Sequence, residues 1–160
     1  MQEEFISADE FASAHREMRH DRRVVRLAEL IHRVHIDPDR TPALRNLFHF
    51  LLKELPDETL PILQRFAAWD DTGQARFFYA KAAMEKGQPK LANRAIAPLL
   101  ETQSASDNVL LLGARVLARL GDAQGARAVL DRIPPASKLS SGIAQVNALL
   151  DQVEHECNAV

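Results

Sequence analysis

The feature that most constrains the fold of this chain is a short pattern that occurs twice, at Gly87 and at Gly121. Each glycine is followed five residues later by an alanine, Ala92 or Ala126, and apolar residues then continue at helical spacing. Glycine suits the end of a helix because it adopts positive φ without a steric penalty. A small residue one turn into the next helix allows two antiparallel helices to approach closely. The pattern therefore predicts helical hairpins.

Helical periodicity extends along the rest of the chain, and alternating strand patterns are almost absent. Ser7–Glu10 reads as a helix-starting capping box, and corners near His20, Glu54, Gly87 and Gly121 follow one another at nearly equal intervals. One hairpin cannot bury its apolar face alone, whereas stacked hairpins can. We predict one all-α domain over residues 1–160, a superhelix of about four antiparallel hairpins with a C-terminal capping helix. The hairpins are expected at about 7–36, 41–68, 73–101 and 107–133, and the capping helix at about 142–157.

The composition indicates a globular protein without a strong charge bias. The chain has twenty basic and twenty-two acidic residues, for a net charge of −2. This near balance argues against general binding to nucleic acid or to an anionic membrane. The single cysteine cannot form an internal disulfide. The first residues lack the pattern of a secretory signal, and no apolar run is long enough for a membrane span. We therefore expect a cytoplasmic protein.

In the second half of the chain, these hairpins resemble the tetratricopeptide repeat family, whose unit is a 34-residue helical hairpin. Ala80 and Ala114 fall at the small position of the first helix, and Ala92 and Ala126 at the small position of the second. The resemblance implies a stack that binds a peptide or helix of a partner protein in a groove lined by the first helix of each hairpin. It thus implies an adaptor, such as a secretion chaperone or an assembly factor.

The same resemblance supplies candidate binding residues, at the positions that face the groove in this family. The set is apolar toward one end and basic toward the other, which would suit a ligand with hydrophobic anchors and a carboxylate. Its members are Leu44, Phe48, Leu51, Leu52, Phe77, Lys81, Met84, Glu85, Leu111, Arg115 and Arg119.

Two alternatives to this groove remain open from the sequence. The stretches LFHFLL and RFFYAKAAM are apolar nearly all round their helices, as is typical of helices buried on several sides. Their phenylalanines could pack in the core or form a homodimer interface. The arginine-rich run His15–Arg26 favours a solvated, salt-bridged surface, with an RNA-binding helical repeat as the weaker interpretation.

No residue pattern points to catalysis, a cofactor or a metal. The sequence contains no phosphate-binding loop, no glycine-rich dinucleotide turn and no nucleophile in a recognisable setting. Glu29 and His32 have the spacing used in di-iron bundles, but the chain lacks the second such pair and the further glutamates that these centres need. We therefore predict a binding protein rather than an enzyme, without cofactors.

Overall fold

In the computed structural model, the described part of the chain is the backbone of residues 8–158 and the side chains of residues 16–17 and 22–156. Every regular element within it is a helix, which confirms the predicted all-α class. The chain divides into two compact units, Met1–Pro56 (unit 1) and Asp57–Val160 (unit 2). The single repeat domain over residues 1–160 stays a prediction, and the capping box at Ser7–Glu10 lies outside the described residues.

Unit 1 contains two helices, α1 (Ala8–Ile36) and α2 (Arg40–Glu54), that pack against each other. The Asp39 carboxylate caps α2 by accepting a hydrogen bond from the Thr41 backbone N–H at 3.1 Å. At the other end, Nη1 of Arg23 donates to the Glu54 carbonyl at 3.3 Å. Among the described side chains of α1, Leu30 and Val34 are buried, and the buried residues of α2 are Ala43, Leu44, Leu47, Phe48 and Leu51.

The hairpin expected over residues 7–36 is wrong, because α1 continues as one helix through the corner expected at His20–Asp21. That corner was inferred from two polar residues, neither of which restricts the backbone as glycine or proline does. The first hairpin is instead formed by α1 and α2, which are joined by the turn at residues 37–39.

A short 3-10 turn (Pro56–Glu58) precedes six helices in the described part of unit 2. They are α3 (Thr59–Trp69), α4 (Gln74–Glu85), α5 (Pro89–Leu100), α6 (Asp107–Arg119), α7 (Ala123–Leu130) and α8 (Ser140–Asn158). The helices from α3 to α7 each pack against the next one along the chain, α4 also contacts α6, and α8 packs against both α6 and α7. The packed pairs α4–α5 and α6–α7 lie at the positions where the hairpins of about 73–101 and 107–133 are predicted.

The two glycine corners have the same geometry. Gly87 and Gly121 have φ values of 69° and 82°, in the region that glycine favours. The residue after each glycine donates a backbone hydrogen bond five residues back, from Gln88 to Ala83 at 2.8 Å and from Asp122 to Leu117 at 3.0 Å. This is the hydrogen bond of a Schellman helix end. The repeated sequence pattern therefore produces a repeated backbone structure.

The small residues of the repeat lie where close packing requires them. Ala80, Ala92, Ala114 and Ala126 are all fully buried, at 0% exposure, in the packed pairs α4–α5 and α6–α7. A larger side chain at these positions would push the paired helices apart.

The predicted capping helix is present as α8. Val146 and Leu150 of α8 belong to a core cluster that includes Leu110 and Ala114 of α6. On the surface, the Arg127 guanidinium of α7 donates to Glu154 of α8 at 2.9 Å and lies 3.6 Å from Asp151. The hydrogen bond to Glu154, with the attraction of the two carboxylates, raises the pKa of Arg127. Apolar contacts and a surface ion pair thus both hold α8 against the last hairpin.

Candidate functional site

The first helices of the two unit 2 hairpins are set in place by polar caps. Asp70, which is 5% exposed, caps α4. One of its carboxylate oxygens accepts from the Ala75 N–H at 2.8 Å, and the other accepts from the Thr72 N–H at 3.1 Å and the Thr72 hydroxyl at 2.7 Å. For α6, the Ser106 hydroxyl accepts from the Val109 N–H at 3.4 Å. These hydrogen bonds satisfy amide groups at the helix starts and so fix where each helix begins.

On α4, the predicted binding residues Phe77, Lys81 and Met84 lie on one face and are half-buried. Their spacing of four and three residues places them along one side of the helix. The Phe77 ring packs edge-to-face against Phe78, with ring centroids 5.3 Å apart. Phe78 is itself buried, so the partly accessible Phe77 ring packs against an aromatic ring of the core.

On α6, Leu111 and Arg115 are half-buried and Arg119 is exposed, again at a spacing of four residues. Leu111 is also a contact point for α8. A Cβ atom added to Gly142 would lie only 2.6 Å from Cδ2 of Leu111, so the start of α8 approaches the end of this leucine side chain closely. Leu111 therefore belongs partly to the junction of α6 with α8.

We group these two sets under one name, the α4–α6 stripe: Phe77, Lys81, Met84, Leu111, Arg115 and Arg119. Leu111 lies one repeat after Phe77, and Arg115 one repeat after Lys81, so each pair occupies equivalent positions of the two hairpins. Because α4 contacts α6, the equivalent positions lie on neighbouring helices. The stripe thus combines partly accessible apolar side chains with three cationic ones.

The candidate residues on α2 occupy a different environment. Leu44 and Leu51 are 0% exposed and Phe48 is 2% exposed, so all three are core residues and are removed from the candidate surface. Leu52 is half-buried on the same helix. The sequence shows that α2 is apolar on most sides, but this pattern does not distinguish a core helix from a groove helix. On α4, Glu85 is exposed at the end of the stripe.

Two surface features of unit 2 were not predicted from the sequence. Trp69, at the end of α3, is 47% exposed and packs edge-to-face on Phe66, with centroids 6.1 Å apart. A cleft of about 340 Å³ lies between α7, the segment at residues 131–140 and α8. Its polar lining residues are Arg127, Asp131, Ser137, Ser140 and Asn147. These residues are dispersed in sequence, so no local pattern signals their proximity.

The described residues contain no arrangement that points to metal chemistry. No three His, Cys, Asp or Glu side chains within residues 16–17 and 22–156 are grouped as metal ligands. Glu29 and His32 lie exposed on α1, and the Glu29 carboxylate pairs with Arg26 at 3.0 Å. In the helices of the described segment, 8–158, no stretch is both long enough and apolar enough to span a membrane.

Comparison with known proteins identifies no relative of this chain. No protein-family model, no curated protein and no solved structure matches the chain. The resemblance to tetratricopeptide repeats therefore stays a prediction, carried by the register of the two unit 2 hairpins.

Proposed function

We propose that the chain is a protein-binding module whose α4–α6 stripe binds a peptide or a helix of a partner protein. The observation that supports this proposal is the composition of the two helix faces. Phe77, Lys81 and Met84 are partly accessible on α4, and on α6 the partly accessible Leu111 is followed at four-residue spacing by Arg115 and Arg119. Large apolar side chains that lose water on binding supply most of the energy of protein interfaces. Cations at their edge orient the ligand and favour acidic partners.

The expected ligand is an extended or helical segment with hydrophobic anchors and at least one carboxylate. The anchors would cover the exposed part of Phe77 and Met84 on α4. The carboxylate would lie near Arg115 and Arg119 on α6, where a guanidinium group can donate two parallel hydrogen bonds. In the cell, this would be the role of an adaptor, for example a secretion chaperone or an assembly factor, and we propose a cytoplasmic location for it. The proposal includes no catalytic step.

Selection from a library of random displayed peptides tests this proposal and does not require the partner to be identified. The enriched peptides should combine apolar residues with Asp or Glu. Charge reversal of the stripe, Arg115→Glu with Arg119→Glu, should weaken their binding by about tenfold or more, which corresponds to about 1.4 kcal/mol. The matched control is Lys90→Glu with Arg94→Glu, which makes the same charge change at exposed positions of α5.

Equal weakening in both double variants would indicate a general charge effect and would contradict the proposal. Enrichment of no peptide would also contradict it. Circular dichroism of both variants checks that the helices remain folded.

Self-association through α2 is less well supported, because Phe48 and its apolar neighbours on that helix are buried within the single chain. An RNA-binding role is opposed by the near balance of charges along the chain.

A further inference from the structure

The outer face of α1 carries an exposed row of four residues whose chemistry is complementary to that of the same row read in reverse. Val25, Glu29, His32 and Ile36 are spaced by four, three and four residues, so they lie along one side of the helix. The opposite side of α1 carries Leu30 and Val34, which are buried. Both Val25 and Ile36 are 58% exposed, so each leaves more than half of a large apolar side chain in water.

The order of this row is apolar, acidic, basic, apolar. A second copy of α1 that runs in the opposite direction presents the same row reversed. Val25 of one copy then faces Ile36 of the other, and Glu29 faces His32, with each contact made twice about a two-fold axis. Such self-complementarity is the requirement for a symmetric dimer interface. A parallel copy in register would instead place Glu29 against Glu29.

We propose that α1 is a dimerisation helix, on which the row Val25–Glu29–His32–Ile36 packs antiparallel against the same row of a second copy of this chain. The two apolar contacts remove exposed valine and isoleucine from water. The two Glu29–His32 contacts fix the direction and the register of the pairing, because Glu29 meets an imidazole in the antiparallel arrangement and another carboxylate in the parallel one. Oε2 of Glu29 also pairs with Arg26 of its own helix at 3.0 Å, so each contact joins an Arg26–Glu29 pair to His32 of the other copy. This inference concerns unit 1 and is independent of the peptide-binding role proposed for unit 2.

The expected dimer is weak. The row extends over about 16 Å of helix, and a contact of this length buries less than the roughly 1,200–2,000 Å² typical of stable complexes. Dimerisation should therefore depend on concentration. Sedimentation equilibrium of the full chain from about 10 µM to about 1 mM covers the range of dissociation constants expected for weak association.

Two adjacent valines supply a matched pair of variants. Val24 is 50% exposed and Val25 is 58% exposed, but they point about 100° apart around the helix, and only Val25 belongs to the row. We expect Val25→Asp to raise the dimer dissociation constant about tenfold or more, and Val24→Asp to leave it nearly unchanged. Both substitutions are at exposed positions, and circular dichroism verifies that the helix content is retained.

An exchange of the two charged residues tests the register itself. His32→Glu alone places carboxylates opposite each other and should weaken the dimer. Glu29→His combined with His32→Glu restores an acidic–basic pair at both contacts and should recover association. A chain that stays monomeric at all concentrations would overturn the proposal, as would equal effects of the two valine variants or an exchange variant no better than His32→Glu.

Discussion

At the scale of single residues, Gly87 and Gly121 show how one position sets the direction of the chain. Both have positive φ, and an added Cβ atom would contact nothing within 4 Å at either site. The need for glycine here is therefore a matter of backbone conformation and not of space. A glycine therefore ends the helix at each of the two equivalent corners.

We expect Gly121→Ala to lower the free energy of unfolding by about 1–2 kcal/mol, the usual cost of an L-residue in the left-handed region. Gly121→Asn should cost less, because asparagine tolerates this region better. Urea unfolding followed by circular dichroism measures both variants. An alanine variant as stable as the original chain would show that the corner does not keep its positive φ.

Tyr79 provides a second test at this scale, because it is the only tyrosine in the chain. Burial raises the pKa of its hydroxyl above the ordinary value of 10.0, since the ionised form would lie in an apolar environment. The neutral hydroxyl therefore contributes stability that is fully present below pH 10 and is lost as the pH rises through the higher folded-state pKa.

Ultraviolet titration of tyrosinate should show ionisation at a higher pH in the native chain than in denaturant. A Tyr79→Phe variant should lose the absorbance change, which confirms its origin. Coincident titration curves for the native and the denatured chain would contradict the burial of Tyr79.

Residue type alone does not predict which of several similar neighbouring residues caps a helix. Asp70, Asp71 and Thr72 are all residue types that favour the start of a helix, and it is Asp70 that accepts the hydrogen bonds from Thr72 and Ala75. Adjacent aspartates have the same chemistry. The direction in which the chain leaves α3 decides which carboxylate reaches the helix start.

At the scale of helices, the buried alanines control the distance between paired elements. We expect Ala126→Leu to destabilise unit 2 by about 1–3 kcal/mol, because added methylene groups in a well-packed site force the helices to move. Ala92→Leu, at the equivalent position of the other hairpin, should behave in the same way. Urea unfolding followed by the fluorescence of Trp69, the single tryptophan, reports on unit 2.

Ala128→Leu is the control for this prediction, since Ala128 lies on the same helix but is exposed. It should change the free energy of unfolding by less than about 0.5 kcal/mol, as is usual for surface substitutions. Equal stability of the Ala126 and Ala128 variants would mean that the register of the repeat does not mark the points of close packing.

The helices of unit 2 were predictable because glycine, proline and capping residues coincide with changes in apolar periodicity. Gly87 is followed by Pro89, and Gly121 by Asp122, whose carboxylate accepts from the Gly125 N–H at 2.8 Å. The corner at His20–Asp21 lacked these signals, and α1 continues through it. Likewise, the apolar residues of α2 indicated a helix but not which side of it is buried. Which side of α2 is buried depends on packing partners that are distant in the sequence.

At the scale of the whole chain, the repeat places equivalent positions of the two hairpins on helices that contact each other. Lys81 and Arg115 lie on neighbouring helices because they occupy the same position in consecutive hairpins. The positions of the stripe come from the resemblance to tetratricopeptide repeats, and their role in binding stays a prediction; that Leu44, Phe48 and Leu51 are core residues could not be predicted from the resemblance. The junction of Leu111 with Gly142 was not predictable, because it depends on how α8 packs after an irregular segment.

We propose that a partner segment binds along the first helices of the unit 2 hairpins. Hydrogen exchange of the chain, alone and saturated with a selected peptide, locates the residues that a bound segment covers. We expect the peptide to slow exchange in α4 and α6, around Phe77 and Arg115, and to leave α5 and the exposed side of α7 unchanged. Slower exchange confined to α5 and α7, or no change in α4 and α6, would contradict the account.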